Sequence, residues 1–305
     1  MATDALRAKT IRTKRKSKIR WEFIVPLIPL LLWLLLLLIF PHLRLLLLSF
    51  MKKGQTSLVD GGIFLGNYLA PFQDPSLIFV RVFYRTITFS LINTFLTLLV
   101  AYPTAFFVAK ILKGSSKVIL LILIALPFYI SELVRVYAWM NILRETGTLN
   151  YLLVNVLGVM QKPVEFLYSS QALFIVFVYS SMLVMIFPIY SSLEGLPDDQ
   201  IHAAQDLGAG YFSTLRHVIF PFSLPGVTAG CILVFMLSVG NYLIPVLVGG
   251  KNNLWVTEMI YNRFIISSNW GLGSAYSIIT LVMTSLVVWI GLRATRQTLR
   301  GVFSE

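Results

Sequence analysis

The chain has 305 residues, of which 57% are hydrophobic and only 12% charged. Soluble domains carry about 25% charged residues, and long apolar runs recur along the whole length here, so no soluble half can be cut out. The net charge of +12, from 25 Lys and Arg against 13 Asp and Glu, reads as membrane topology, because cytoplasmic flanks of spans collect Lys and Arg. Nucleic acid is excluded as a partner, since no basic stripe is interleaved with aromatics on a polar segment. The single cysteine, Cys231, lies inside an apolar run and has no internal disulfide partner.

Residues 1–20 carry Arg7, Lys9, Arg12, Lys14, Arg15, Lys16, Lys18 and Arg20 against Asp4 alone, and read as a solvated cytoplasmic tail. Phe23 to Phe40 follows. It exceeds the apolar core of a signal peptide, about 7–15 residues, and Pro41-His42 stands where small cleavage-site residues would be. It is read as an uncleaved first span, with an external loop completing residues 21–83. Five further apolar runs lie near residues 84–110, 118–142, 170–191, 221–248 and 275–294. Each can cross about 30 Å of hydrocarbon at about 1.5 Å per residue. Backbone groups in lipid must bond within their own segment, so the runs are predicted as helices; the alternation of an outer-membrane barrel is absent.

The prediction is therefore an all-α polytopic membrane protein with six transmembrane helices. Six spans place both termini on one side. With that side cytoplasmic, the inside segments hold fifteen of the twenty-five Lys and Arg, including Lys110, Lys113 and Lys117 in one short turn. Residues 84–297 form the core membrane domain and 298–305 a cytoplasmic C-terminal tail. The other inside connection, Ser191 to Phe220, is long and on balance acidic. Pro197-Asp198-Asp199 resembles a helix start, with acids at the positive end of the dipole. Ile201, Ala204, Leu207 and Gly208 then fall on one helical face. Gly208 and Gly210 end that helix, and a second helical stretch, Tyr211 to Phe220, leads to Pro221 and Pro225.

Ionisable residues inside spans are functional candidates. Glu132 and Arg135 are three apart on the third span and share a face. Two readings stand: mutual pairing that stabilises packing, or a Glu132 carboxylate facing a pathway and attracting a cation. Phe128, Tyr129, Tyr137 and Trp139 offer aromatic faces to an ammonium, and Asn93, Asn241 and Tyr242 are further polar groups within spans. The substrate-path candidates are Phe128, Tyr129, Glu132, Tyr137, Asn241 and Tyr242. No phosphate loop is present: Lys251 follows Gly249-Gly250, but Asn252 replaces the hydroxyl residue. His42, His202 and His217 are scattered, which offers no metal cluster, and there is no nucleophile elbow. No catalytic residue and no metal site is assigned, and the chain is not expected to be an enzyme.

His202-Ala203-Ala204-Gln205-Asp206-Leu207-Gly208, followed after nine residues by Val218-Ile219-Phe220-Pro221, resembles the EAA signature of bacterial ATP-binding-cassette importer permeases. Both alanines, the glycine and the proline match; His202, Val218 and Phe220 replace the pattern's Glu, Ile and Leu, and the Glu role is not carried over to His202. Tyr102-Pro103-Thr104-Ala105-Phe106, Ser131 to Trp139, Gly230-Cys231-Ile232-Leu233, Gly249-Gly250 and Asn269-Trp270 resemble the spermidine/putrescine permeases among them. The resemblance covers roughly residues 80–300. It implies the type I importer permease fold in the bacterial cytoplasmic (inner) membrane, with a coupling loop at 191–221. Ala203, Ala204, Gln205, Asp206, Leu207 and Gly208 would contact a separate ATPase.

The implied partners are a second, similar permease, two ATPase subunits that bind ATP and Mg, a periplasmic or extracellular substrate-binding protein, and membrane lipid. No cofactor is expected in this chain itself. The implied function is alternating-access import of a small organic cation such as spermidine or putrescine, driven by that ATPase. The alternative solutes are an opine, an amino-acid derivative or a phosphonate. A secondary transporter would show inverted repeats with broken helices, and no convincing internal repeat is seen.

Overall fold

The computed structural model describes residues 27–54, 60–250 and 253–294. The basic tail 1–20 and the C-terminal tail 298–305 lie outside the described residues. The chain divides into two units, Met1–Leu47 and Leu48–Glu305.

The first unit holds most of helix α1, Ile28–Ser49, a 22-residue helix of mean hydropathy 2.4. It is apolar all round, the mark of a helix made for a membrane interior. The sequence reading ended this span at Phe40, but the helix runs straight through Pro41. Widened, π-type turns at Leu35–Ile39 end two residues before the proline and make room for its ring and missing N–H.

The second unit opens with a short antiparallel hairpin, β1 (Met51–Lys52) and β2 (Asp60–Ile63), and a short helix α2 (Gly66–Gln73). Four long elements and one broken one follow. Helix α3 is Ile78–Ile111. Next come α4, Ser115–Tyr129, and α5, Glu132–Leu143, whose helical path continues with short breaks to Val156. Then come α6 (Ser170–Glu194), α7 (Asp198–Asp206), α8 (Tyr211–Gly240), α9 (Val256–Tyr261, continued to Ile266) and α10 (Trp270–Ala294). Among the described residues five helices are long and apolar enough to cross a membrane, and the α4–α5 pair supplies a sixth if it is one span.

Three expectations are corrected. The third span is not one rod over 118–142: α4 and α5 meet at a 92° bend. Pro127 and an extended Ile130 interrupt the helix there. The fifth span ends at Gly240 rather than 248, because Asn241 is extended. The fifth span also starts before 221: the helical stretch Tyr211–Phe220 forms the first turns of α8, carried past Pro221 by π-type winding at Leu215–Ile219.

The core is built where α6 and α8 cross α3. Met185, Ile186, Ile189 and Leu193 of α6 bury against Ala101, Ala105 and Ala109 of the α3 run and Val227 and Val234 of α8. In lipid no hydrophobic force draws such helices together, so close packing of small residues must do it. Gly226 shows how close. A Cβ there would lie 2.4 Å from the carbonyl oxygen of Pro188, and one at Gly230 would lie 3.2 Å from Met185 Cγ. A second cluster gathers Val136 and Leu143 of α5, Leu173, Val176 and Phe177 of α6, and Ile244 and Val248 around the buried Trp255. Its indole donates to the Ser238 carbonyl at 3.1 Å.

Gly226→Ala is expected to destabilise the purified protein. The helix-propensity gain of about 0.5–1 kcal/mol is outweighed by overpacking against a backbone atom, about 1–3 kcal/mol. Gly240→Ala, whose Cβ meets nothing within 4 Å, is the control. Thermal unfolding in detergent should show a lowered midpoint for the first substitution and none for the second.

Candidate functional site

Two places gather the polar side chains that the membrane reading singled out. The first lies where two helix breaks face each other. Glu132 is the first residue of α5, just after the bend, and Asn241 is the first residue after α8. Asn241 Nδ2 donates to Glu132 Oε1 at 2.9 Å. The same asparagine accepts from the Ile244 amide through Oδ1 at 2.9 Å, and its carbonyl accepts from Thr257 Oγ1 at 2.7 Å. One side chain therefore closes the turn after α8 and ties it to α5. Asn93 of α3 is buried and donates to Ser238 Oγ at 2.8 Å, linking α3 to the last turn of α8.

Glu132 and Arg135 do not pair with each other: the ion pairs among the described residues lie elsewhere. Arg135 instead lays its guanidinium 5.4 Å from the Phe128 ring centroid, a cation–π contact. Glu132, Arg135, Phe128, Asn241, Ser180 and Ser238 line one cavity of about 170 Å³, with apolar walls from Phe177 and Ile244. Of the six substrate-path candidates, the structure brings together Phe128, Glu132 and Asn241. It leaves out the other three. Tyr129 and Tyr137 are exposed and do not line it, and Tyr242 lies against Tyr261, ring centroids 5.0 Å apart. The serines of α6 were missed, because Ser180-Ser181 in a long apolar run carries no signal until the helix that faces it is known.

The second place is the connection Gly195–Gly210. Helix α7 starts after an extended Pro197, with Asp198 and Asp199 in its first turn, as the sequence predicts. It ends in two crossed hydrogen bonds: Gly208 N–H to Gln205 O at 2.8 Å and Ala209 N–H to Ala204 O at 3.0 Å. This closure needs a left-handed residue, and Gly208 supplies it with φ of +82°. Ile201 and Ala204 are half-buried, but Leu207 points outward and is 90% exposed. Ala203, Gln205 and Asp206 are exposed as well. Phe212 at the start of α8 is 81% exposed, so two large apolar side chains stand clear of the connection.

Lysines at the end of α3 and the start of α4 brace this connection. Lys110, almost buried, donates to Leu196 O at 2.6 Å and to Asp198 Oδ1 at 2.9 Å. Lys117 pairs with Glu194 at the end of α6 and lies 5.5 Å from the Tyr190 ring centroid. The hydrogen bond from Lys110, aided by its charge and those of Lys113 and His202, holds the Asp198 carboxyl below its ordinary 3.8. The residues that the sequence reads as topological markers thus also fix the start of α7.

The comparisons with known proteins agree with this architecture. A family description, binding-protein-dependent transport system inner membrane component, matches residues 23–297. This chain belongs to that family, and is a transport permease of the ATP-binding-cassette importer class. It is 34% identical over 273 residues to the spermidine/putrescine transport system permease protein PotB of Haemophilus influenzae, covering 90% of this chain and 94% of that one. It is 32% identical over 264 residues to PotB of Escherichia coli, covering 87% and 94%. A bacterial alginate ABC transporter, solved in complex with its alginate-pentasaccharide-bound periplasmic protein, has a chain of the same fold. That match has a TM-score of 0.75 at 15% identity, with 92% of this chain and 96% of that one covered.

Lys110→Ala should loosen the start of α7 by about 1 kcal/mol, the worth of one hydrogen bond and one exposed ion pair. Hydrogen exchange of amides in 198–206 should speed by about fivefold. Because the Asp198 carboxyl is depressed, its contribution is present above the ordinary value and fades only as pH falls through and below it. Protection in the wild type, corrected for intrinsic rates, should therefore be flat across about pH 5–8.

Proposed function

We propose that this permease imports a small organic cation of the polyamine class, with spermidine and putrescine as the leading solutes. The observation that carries the reading is Glu132, a carboxylate at the bend between two apolar helices, held by Asn241 on the wall of a cavity. Intramembrane carboxylates are costly and mark solute or ion paths, and an ammonium is the natural complement. The names of the relatives point the same way.

The proposed assembly contains this chain, a second similar permease, two ATPase subunits that bind ATP and Mg, and an external binding protein. Both termini of this chain are cytoplasmic, and it hydrolyses nothing itself. Helix α7 is the element through which the ATPase acts. Ala203, Ala204, Gln205, Asp206, Leu207 and Gly208 form the contact, and Leu207 enters a groove of the ATPase. ATP-driven closure of the ATPase pair would move α7, and the lysine braces at Lys110 and Lys117 would pass that motion to α3, α4 and α6. Import then requires that the ATPase hold α7 differently in its two states, since equal affinity for both would shift nothing.

Glu132→Gln should cut spermidine and putrescine uptake at least tenfold, the cost of one charge-assisted contact, with normal assembly. Unchanged uptake would remove Glu132 from the path. Leu207→Asp should leave substrate-independent ATP hydrolysis by the isolated ATPase intact while abolishing its co-purification with the permease.

A further inference from the structure

A second cleft, of about 230 Å³, lies between the end of α3, helix α7 and the first turns of α8. Phe106, Ile201 and Ile219 give it apolar walls, and Lys110, Lys113, Asp198, His202 and Tyr211 give it polar ones. Lys110 is the last residue but one of the α3 span, and Lys113 lies two residues beyond that span. The cleft therefore sits where an apolar span ends. The ATPase contact proposed above leaves His202 without a role.

The charges of this cleft do not balance. Asp198 is its one carboxylate, and Lys110 already donates to it at 2.9 Å. Lys113 and His202 act on the same carboxylate through their charge alone. Neither makes a hydrogen bond or an ion pair among the described residues. Asp199 and Asp206 of α7 do not line the cleft, and Lys117 pairs with Glu194 outside it. Lys113, His202 and Tyr211 are exposed, so they reach a ligand without opening the fold. The importer signature has Glu where this chain has His202. A carboxylate at that position would offset Lys113, whereas the imidazole leaves a surplus of positive charge.

The donor set selects the kind of anion. Lysine, imidazole and hydroxyl donors come from three elements, and no arginine lines the cleft. Arginine reads planar carboxylates with paired donors, while lysine acts as a point charge on phosphate. About 150 Å³ holds a benzene-sized molecule, so about 230 Å³ takes a phosphate with a glycerol-sized stub. Basic pockets at the ends of spans are where lipid headgroups bind.

We propose that this cleft binds the phosphate group of an anionic ester, carried by a lipid headgroup or by a small soluble phosphate. Lys113, His202 and Tyr211 donate to the phosphate oxygens, while Lys110 stays on Asp198. The bound phosphate ties α7 to the end of α3 and steadies it. The site is independent of which solute crosses the membrane.

The test is hydrogen exchange of amides 198–206 in the full chain, reconstituted in three kinds of nanodisc sample. These are phosphatidylcholine alone, phosphatidylcholine with phosphatidylglycerol, and phosphatidylcholine with glycerol phosphate in solution. Relative to the first, exchange should slow about fivefold in at least one of the other two. Slowing by phosphatidylglycerol alone assigns the phosphate to lipid, and slowing by glycerol phosphate admits the soluble ester. Lys113→Gln and His202→Glu should each abolish the effect, and glutamate in place of glycerol phosphate should have none. No slowing in either sample, slowing that survives both substitutions, or an equal response to glutamate would overturn the proposal. Should those variants fail to fold, Tyr211→Phe decides: it should weaken the response to the effective phosphate about threefold, and an unchanged response would count against the site.

Discussion

The constraint on which this structure depends is that lipid satisfies no backbone group. A chain that breaks two helices within the membrane must pair the freed groups internally or not break them. Here the break before α5 and the break after α8 answer each other. Asn241 closes its own turn through Ile244, receives Thr257 on its carbonyl, and holds Glu132 at the head of α5. Two interruptions that would each be costly alone become one joint. Removing the chain from helical order at these points creates the cavity in which Phe128, Glu132, Arg135 and Ser180 meet.

The joint is held against a rigid pair. Helices α6 and α8 approach so closely at Gly226 that no side-chain atom fits between them. The end that carries α7 is held differently, by charge. Lys110 and Lys117 grip the end of α6 and the first turn of α7. Close packing in the lipid zone and lysine braces at its edge together connect the exposed helix α7 to the walls of the cavity. This is the arrangement a permease needs if work done on one surface is to reach a solute held elsewhere.

Much of this was legible in the sequence because the physics is one-dimensional. The Pro-Asp-Asp start of α7 and its Gly208 stop are local signals, and each appears where the pattern puts it. The EAA-like stretch placed α7 in the connection where the structure has it. What the sequence did not show is what depends on a partner across space. The 92° bend of the third span hides in an unbroken apolar run. Leu207 lies on the predicted stripe, yet the left-handed Gly208 ends the helix immediately beyond it and Leu207 faces solvent. Glu132 and Arg135 share a helical face and still do not pair: Asn241 holds the first and Phe128 packs on the second. Tyr129 and Tyr137 look like Phe128 in sequence, and only the fold decides which aromatic lines the cavity.

The central claim is that this chain forms the membrane path of an ATP-driven amine importer. The direct measurement is accumulation of labelled spermidine and putrescine in proteoliposomes containing the assembled transporter, with the binding protein outside the transporter's ATP side. The account predicts uptake against the gradient that requires both ATP and the binding protein. Uptake that equilibrates without ATP, or no amine uptake while hydrolysis proceeds and responds to the loaded binding protein, would contradict it.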